Sequence, residues 1–183
     1  MEAQAVCREP DLSVERQLWA SGYTRVAGLD EAGRGAWAGP VVAAAVILSP
    51  NQPNLLDRLA SVRDSKLLTP RQRERCYALI LENALAYGAA AVSAPEIDRV
   101  GIVPATRRAM ALALGRCCPS PDYVLIDALP LPEVALPQYV TPKGDLHHLS
   151  ISAASIVAKV TRDRMMVGLD ARLGGYGLAR HKG

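Results

Sequence analysis

Four acidic residues stand out by position: Asp30, Glu31, Asp127 and Asp145. Asp30 closes the run "VAGL", Glu31 follows it, and Asp127 closes "YVLI". Asp145 comes after "PKG", in a turn that leads into the last long helical pattern. Carboxylates that meet in one cleft repel one another, and their ionised forms need cations nearby. Mg²⁺ and Mn²⁺ are hard ions that prefer carboxylate and water oxygens. The chain offers no histidine or cysteine set suited to zinc. An all-carboxylate site holding such ions suits phosphodiester hydrolysis, in which the ions activate a water and stabilise the departing oxygen. Spacing alone equally admits unrelated acids that cap turns or pair with arginines.

Adjacent residues of a regular strand point to opposite faces. Asp30 and Glu31 are therefore expected to share a ligand only if the strand ends or bends between them, which Ala32-Gly33 favours. Next comes Gly33-Arg34-Gly35. It is no Walker loop, because no GK[ST] follows. Glycines let the backbone approach a ligand closely, and Arg34 could hold a phosphate bidentately. Taken alone, a plain turn with a solvated arginine is the simpler account. Ser65 and Lys66, in "RDSK", are candidate phosphate contacts, although a lysine before a helix is usually just solvated. In "ISAASIVAKVTRD" the small residues from Ser152 to Ser155 suit close packing against a sheet or a close approach by a ligand, with core packing the plainer account of the alanines. Lys159 and Arg162 could face nucleic acid, with a solvated helix face as the ordinary alternative. Asp163 could support the site or simply pair with Lys159. His147-His148 could assist proton transfer; a pair of loop histidines is the plainer account.

These residues need a scaffold. A short helix is expected around Ser13 to Ala20, then strands over 24–30 and 41–48. Pro50, Pro53 and the asparagines mark a loop. Thr69 as N-cap and Pro70 at the first helical position open a helix. A third strand over 86–94, a helical turn over 95–100 and a helix over 104–118 follow. A strand over 122–129 carries Asp127, a short strand lies near 137–140, and a long helix covers 150–173. Consecutive strands first and crossover units later argue for a mixed sheet with helices on its faces, in one α/β domain over residues 1–183.

The chain of 183 residues is half hydrophobic, so a sizeable core is available. Phe is absent, which leaves Ala, Val, Leu and Ile to build that core. A formal charge of +3 permits a polyanionic partner without demanding one. Cys7, Cys76, Cys117 and Cys118 form no CxxC pair and read as reduced thiols of a cytoplasmic protein. The polar N-terminus lacks the apolar core of a signal peptide. The longest strongly apolar run, Val41 to Leu48, is too short to span a bilayer. No membrane association is expected, and no interaction motif argues against a monomer.

In their order, "GLDEAGRGAWAGPVVAAAV", "RDSKLL", "YVLIDAL", "KGD", "ISAASIVAKVTRD" and "YGLARHKG" resemble the ribonuclease HII family, over about residues 24 to 183. The resemblance implies a ribonuclease H-like fold, with a five-stranded mixed sheet flanked by helices. It implies an endonuclease that hydrolyses the RNA strand of RNA–DNA hybrids and cuts at ribonucleotides embedded in duplex DNA. Mn²⁺ or Mg²⁺ would be the cofactor. Asp30, Glu31, Asp127 and Asp145 would be the catalytic carboxylates, with the first three as metal ligands. Gly33, Arg34 and Gly35 match the motif that senses the ribose 2′-hydroxyl, the group that distinguishes RNA from DNA. This chain has Leu146 after "KGD", where the family usually has a small residue. The family's pattern continues past "RHKG" with a tyrosine that packs on the sugar, and then a helical segment; Tyr176 belongs to the preceding "YG". The competing readings are a DNA-junction nuclease of the same fold and a hybrid-binding module without turnover.

Overall fold

The computed structural model describes residues 9–63 and 65–181. Cys7, Asp64 and the last two residues of "RHKG" lie outside the described residues. The elements run α1 (Ser13–Ala20), β1 (Val26–Ala32), β2 (Val41–Leu48), α2 (Leu55–Arg58), α3 (Pro70–Asn83), β3 (Ala84–Val92), α4 (Ala94–Val100), α5 (Ile102–Gly115), β4 (Tyr123–Asp127), β5 (Gln138–Thr141) and α6 (Leu149–Arg172). The strand order is β3-β2-β1-β4-β5. β1, β2 and β3 pair antiparallel, while β4 lies parallel to both β1 and β5. The sheet is mixed and five-stranded, as the resemblance implied.

The continuous apolar run of β2 has a direct cause. It is an inner strand covered on both faces, so all eight of its residues are buried. Val41, Ala43, Ala45 and Ile47 face one core, which α5 fills with Ala105, Ala109, Met110 and Ala113. Ala44, Val46 and Leu48 face the other, built from α3 and α6.

Two local devices place α6 over β1. A side chain at Gly28 would collide with the α6 backbone, since a Cβ there would lie 2.1 Å from the Ser150 carbonyl carbon. Gly28 thus permits a helix-to-strand approach that no other residue allows. At its N-terminus α6 is capped from elsewhere in the chain. Glu15 on α1 accepts hydrogen bonds from Ser150 N at 3.0 Å and Ser150 Oγ at 2.6 Å. A carboxylate there also complements the helix dipole.

The expected helix start at Thr69-Pro70 is present, with a capping box. Thr69 N donates to Gln72 Oε1 at 2.9 Å, and Gln72 N donates to Thr69 Oγ1 at 3.3 Å. Element ends differ from the sequence expectation by a few residues. The strand expected over 122–129 stops at Asp127, where Ala128 takes a positive φ of 56°. Within the expected proline loop lies one short helix, α2, started by Asn54 in a left-handed conformation.

Candidate active site

β1 keeps its register with β2 as far as Ala32↔Val42, but its last pair with β4 is Leu29↔Ile126. The two parallel strands therefore part just before Asp30 and Asp127. A crevice at the carboxyl ends of parallel strands is where ligands bind in open α/β sheets. Of the two expected devices, an end or a bend of the strand between Asp30 and Glu31, the first is absent. The strand continues through both, and Asp30 and Glu31 pair with Ala44 and Ala43, which face opposite cores. They share a cleft because β4 leaves the edge of β1 open at that level.

The cleft encloses about 240 Å³ and is lined by Asp30, Glu31, Asp127, Gly33, Arg34, Gly35, Ser65 and Lys66, together with Ser155 and Lys159 of α6. It thus collects three of the four expected acids, the glycine-flanked arginine and both residues of "SK". Asp145 does not line it. It is buried in a short 3₁₀ turn at residues 144–146, and its Oδ2 lies 3.4 Å from Lys66 Nζ. Its neighbour Gly144 donates its N–H to Asp127 Oδ1 at 2.9 Å. The 144–146 turn therefore adjoins the cleft behind Lys66 and Asp127.

Asp30 is buried, and its Oδ1 accepts the Glu31 N–H at 2.8 Å. Burial holds the Asp30 carboxyl well above the usual range, and the nearby charges of Glu31 and then Asp127 push the same way; a hydrogen bond with Ser155 opposes them. Burial also raises Glu31, against the pull of Arg34, whose Nη1 lies 3.5 Å from Glu31 Oε1. Burial thus disfavours the ionised form of both groups, and a divalent cation would offset that. The acidic donors on the lining, all carboxylate oxygen, fit a hard ion. Among the described residues no three Asp, Glu, His or Cys side chains are already gathered into a ligating cluster.

Two positions on α6 that line the cleft were left open from sequence, Ser155 between packing and a close ligand approach, and Lys159 between nucleic acid and a solvated face. Ser155 shares a hydrogen bond with Ser65 at 3.0 Å between hydroxyl oxygens, besides its bond with Asp30. Ser65 is accordingly buried beneath the cleft and held from behind, with Arg73 Nη1 donating to its carbonyl at 2.8 Å. Lys159 lies one turn beyond Ser155. It bridges Asp163 at 2.9 Å, so the local pairing account of Asp163 holds, yet Lys159 also reaches the cleft. The available signal was the spacing Ser155, Lys159, Asp163, a polar i, i+4, i+8 stripe along a helix otherwise largely buried. Arg162 departs from its expectation altogether. It is fully buried, faces no solvent, and donates to Pro40 O at 2.9 Å and Ala38 O at 2.8 Å under the β1–β2 loop. Gly33 is needed there: its φ is +95°, and a Cβ would lie 2.1 Å from Arg162 Nε. Of the two histidines, His148 is buried where the chain enters α6.

The sequence model of the family described as ribonuclease HII matches residues 27–183. The ribonuclease HII of Chloroflexus aurantiacus is 53% identical over 174 residues, covering 95% of this chain and 82% of the relative. That of Dehalococcoides mccartyi is 49% identical over 179 residues, covering 98% and 83%. The crystal structure of the ribonuclease H2 from Pyrococcus horikoshii superposes with a TM-score of 0.71 at 31% identity, over 84% of this chain and 79% of that one. With the sheet order and the acidic crevice in place as well, the chain belongs to the ribonuclease HII family.

Proposed function

We propose that this protein is an endonuclease that hydrolyses the RNA strand of RNA–DNA hybrids and cuts at ribonucleotides embedded in duplex DNA, using divalent metal ions. The observation that carries the reading is a single cleft holding Asp30, Glu31 and Asp127, with the Gly33-Arg34-Gly35 loop and Lys66 also on its lining. In this reading Asp30, Glu31 and Asp127 hold Mg²⁺ or Mn²⁺. When bound, such ions activate a water and stabilise the departing oxygen. Arg34 and Lys66 bring positive charge to the phosphates on either side of the scissile bond. Gly35, with open space where its Cβ would be, lets the backbone come close to the ribose, where polar groups of the Gly33-Arg34-Gly35 segment can meet the 2′-hydroxyl. Asp145, reached through Lys66, completes the catalytic carboxylates. Ser65 contributes by fixing Ser155 and the segment that carries Lys66.

The same reading includes one catalytic domain over residues 1–183, a cytoplasmic location and a monomeric state. Among the described residues no helix is long and apolar enough to cross a membrane.

The test is cleavage of a labelled DNA duplex containing one ribonucleotide, with Mn²⁺ or Mg²⁺, beside the same duplex made of DNA alone. Nicking on the 5′ side of the ribonucleotide, with the all-DNA duplex intact, is the expected result. Equal cutting of both duplexes would overturn the ribose-sensing role of the loop.

A further inference from the structure

The loop from Gly33 to Pro40 leaves the acid cleft and carries one side chain into open solvent. Trp37 is fully exposed, at 103% of its reference area, whereas the other tryptophan, Trp19, is half-buried. A lone exposed apolar residue is ordinary. What sets Trp37 apart is how firmly its loop is held around it. Gly33 and Gly39 turn the chain at φ +95° and +85°. Ala36 N donates to Gly33 O at 3.1 Å. From below, the buried Arg162 binds the carbonyls of Ala38 at 2.8 Å and Pro40 at 2.9 Å. A Cβ at Gly39 would lie 2.4 Å from Met166 Sδ, so the far end of the loop is also seated on α6. The backbone is fixed on both sides of an indole that packs on nothing.

The position of that indole is also constrained. Gly35, two residues earlier, lines the acid cleft. Two residues of chain span at most about 7 Å. A nucleic acid whose ribose lies against Gly33-Arg34-Gly35 therefore passes within reach of Trp37.

We propose that Trp37 is a nucleic-acid contact of this enzyme, its indole lying flat against a sugar or base next to the nucleotide that the Gly33-Arg34-Gly35 loop meets. This rests on the hybrid-nuclease reading above. The chemistry suits the task. Arg34 and Lys66 act on phosphates, and such contacts weaken with salt. An indole offers a large apolar face to any base or sugar, independent of sequence and little affected by salt. It is also stiff, so little side-chain freedom is lost on contact. Trp37 would hold the strand in register while the charged groups supply attraction.

The experiment uses the full chain, a fluorescent DNA duplex with one ribonucleotide, and metal-free buffer so that no turnover occurs. Trp37→Ala is expected to raise Kd by about 5- to 150-fold, the range of one aromatic–base contact. The slope of log Kd against log salt should stay as in the wild type, whereas Lys66→Ala should reduce it by about one. Trp37→Phe should recover most of the affinity yet lose the quenching of tryptophan emission that the wild type shows on binding. In steady-state cleavage the Trp37→Ala loss should fall on KM rather than on kcat. A Trp37→Ala protein that binds as tightly as the wild type would overturn the contact alone. A wild type that neither binds the duplex nor nicks it once Mn²⁺ is added would overturn the nuclease reading and this inference with it.

Discussion

Gly28→Ala tests whether the closeness of α6 to β1 is what positions the cleft. The added Cβ would sit 2.1 Å from the Ser150 carbonyl carbon, 2.3 Å from its oxygen and 2.4 Å from Ile151 N. Ordinary contact begins at 3.4 Å, so the first of these is short by 1.3 Å. All three obstacles are backbone, so no side chain can rotate away, and α6 or β1 must move by that order. Overpacking of this kind costs about 1–3 kcal/mol, and a backbone obstruction belongs at the upper end. For a chain of this length that lowers Tm by about 6–12 °C. The consequence for chemistry follows from what α6 carries. Ser155 bonds to Asp30, and Lys159 lines the same cleft. A misplacement of about 1 Å can cost on the order of 100-fold in rate. The assays are thermal melting and single-turnover nicking well below the variant's Tm. The expected outcome is both a lower Tm and a slower nicking step. A variant with wild-type Tm would show that the contact is not tight. A variant of lowered Tm with an undiminished single-turnover rate would show that the fit of α6 on β1 does not position the acids, and would refute the reasoning.

Other outcomes follow from neighbouring features. Gly35 has open space where its Cβ would be, so Gly35→Ala should melt within about 1 °C of wild type, in line with other surface changes. It should nevertheless cleave at least 10-fold more slowly if a ribose must approach that backbone, and unchanged cleavage would remove Gly35 from the site. Glu15 is fully buried, and its carboxyl is raised chiefly by that burial, against the pull of the Ser150 hydrogen bonds. A raised carboxyl contributes stability that is complete below the unfolded value, about 4.3, and is lost as pH rises through the folded one. The difference in Tm between wild type and Glu15→Gln should therefore be most favourable to the wild type near pH 4 and shift toward the variant by neutral pH. A difference independent of pH would show that Glu15 is not the titrating group.

Much of the scaffold was legible because single residues carried unambiguous physics. Thr69-Pro70 could only open a helix, and Val41 to Leu48 was too uniformly apolar to be anything but an inner strand. Asp127 was legible because an acid directly after "YVLI" had to lie at the end of a buried strand. What stayed hidden was decided by tertiary register. Nothing in "GLDEAGRG" says that β1 continues to pair with β2 while β4 falls away after Ile126. That parting is what admits Asp30 and Glu31 to one cleft. Arg162 was invisible for a related reason. Its burial depends on two loop carbonyls, at Ala38 and Pro40, more than 120 residues earlier in the chain. For Ser155 the sequence left packing and a close ligand approach both open. Its tie to Asp30 appears only when Gly28 lets α6 descend onto β1.

The central claim is that Asp30, Glu31 and Asp127 are a metal-dependent cutting site, and Asp30→Asn probes it with least disturbance. The amide keeps the carboxylate's shape and can still accept the Glu31 N–H. It also removes a buried charge that repels Glu31, so the metal-free fold should be at least as stable as the wild type. The decisive measurement is nicking of the single-ribonucleotide duplex by Asp30→Asn across a Mn²⁺ titration, with Tm recorded in the same buffers. The account predicts no detectable nicking at any Mn²⁺ concentration, a retained fold, and a smaller rise in Tm with Mn²⁺ than the wild type shows. A folded Asp30→Asn protein that nicks at the wild-type rate would contradict it.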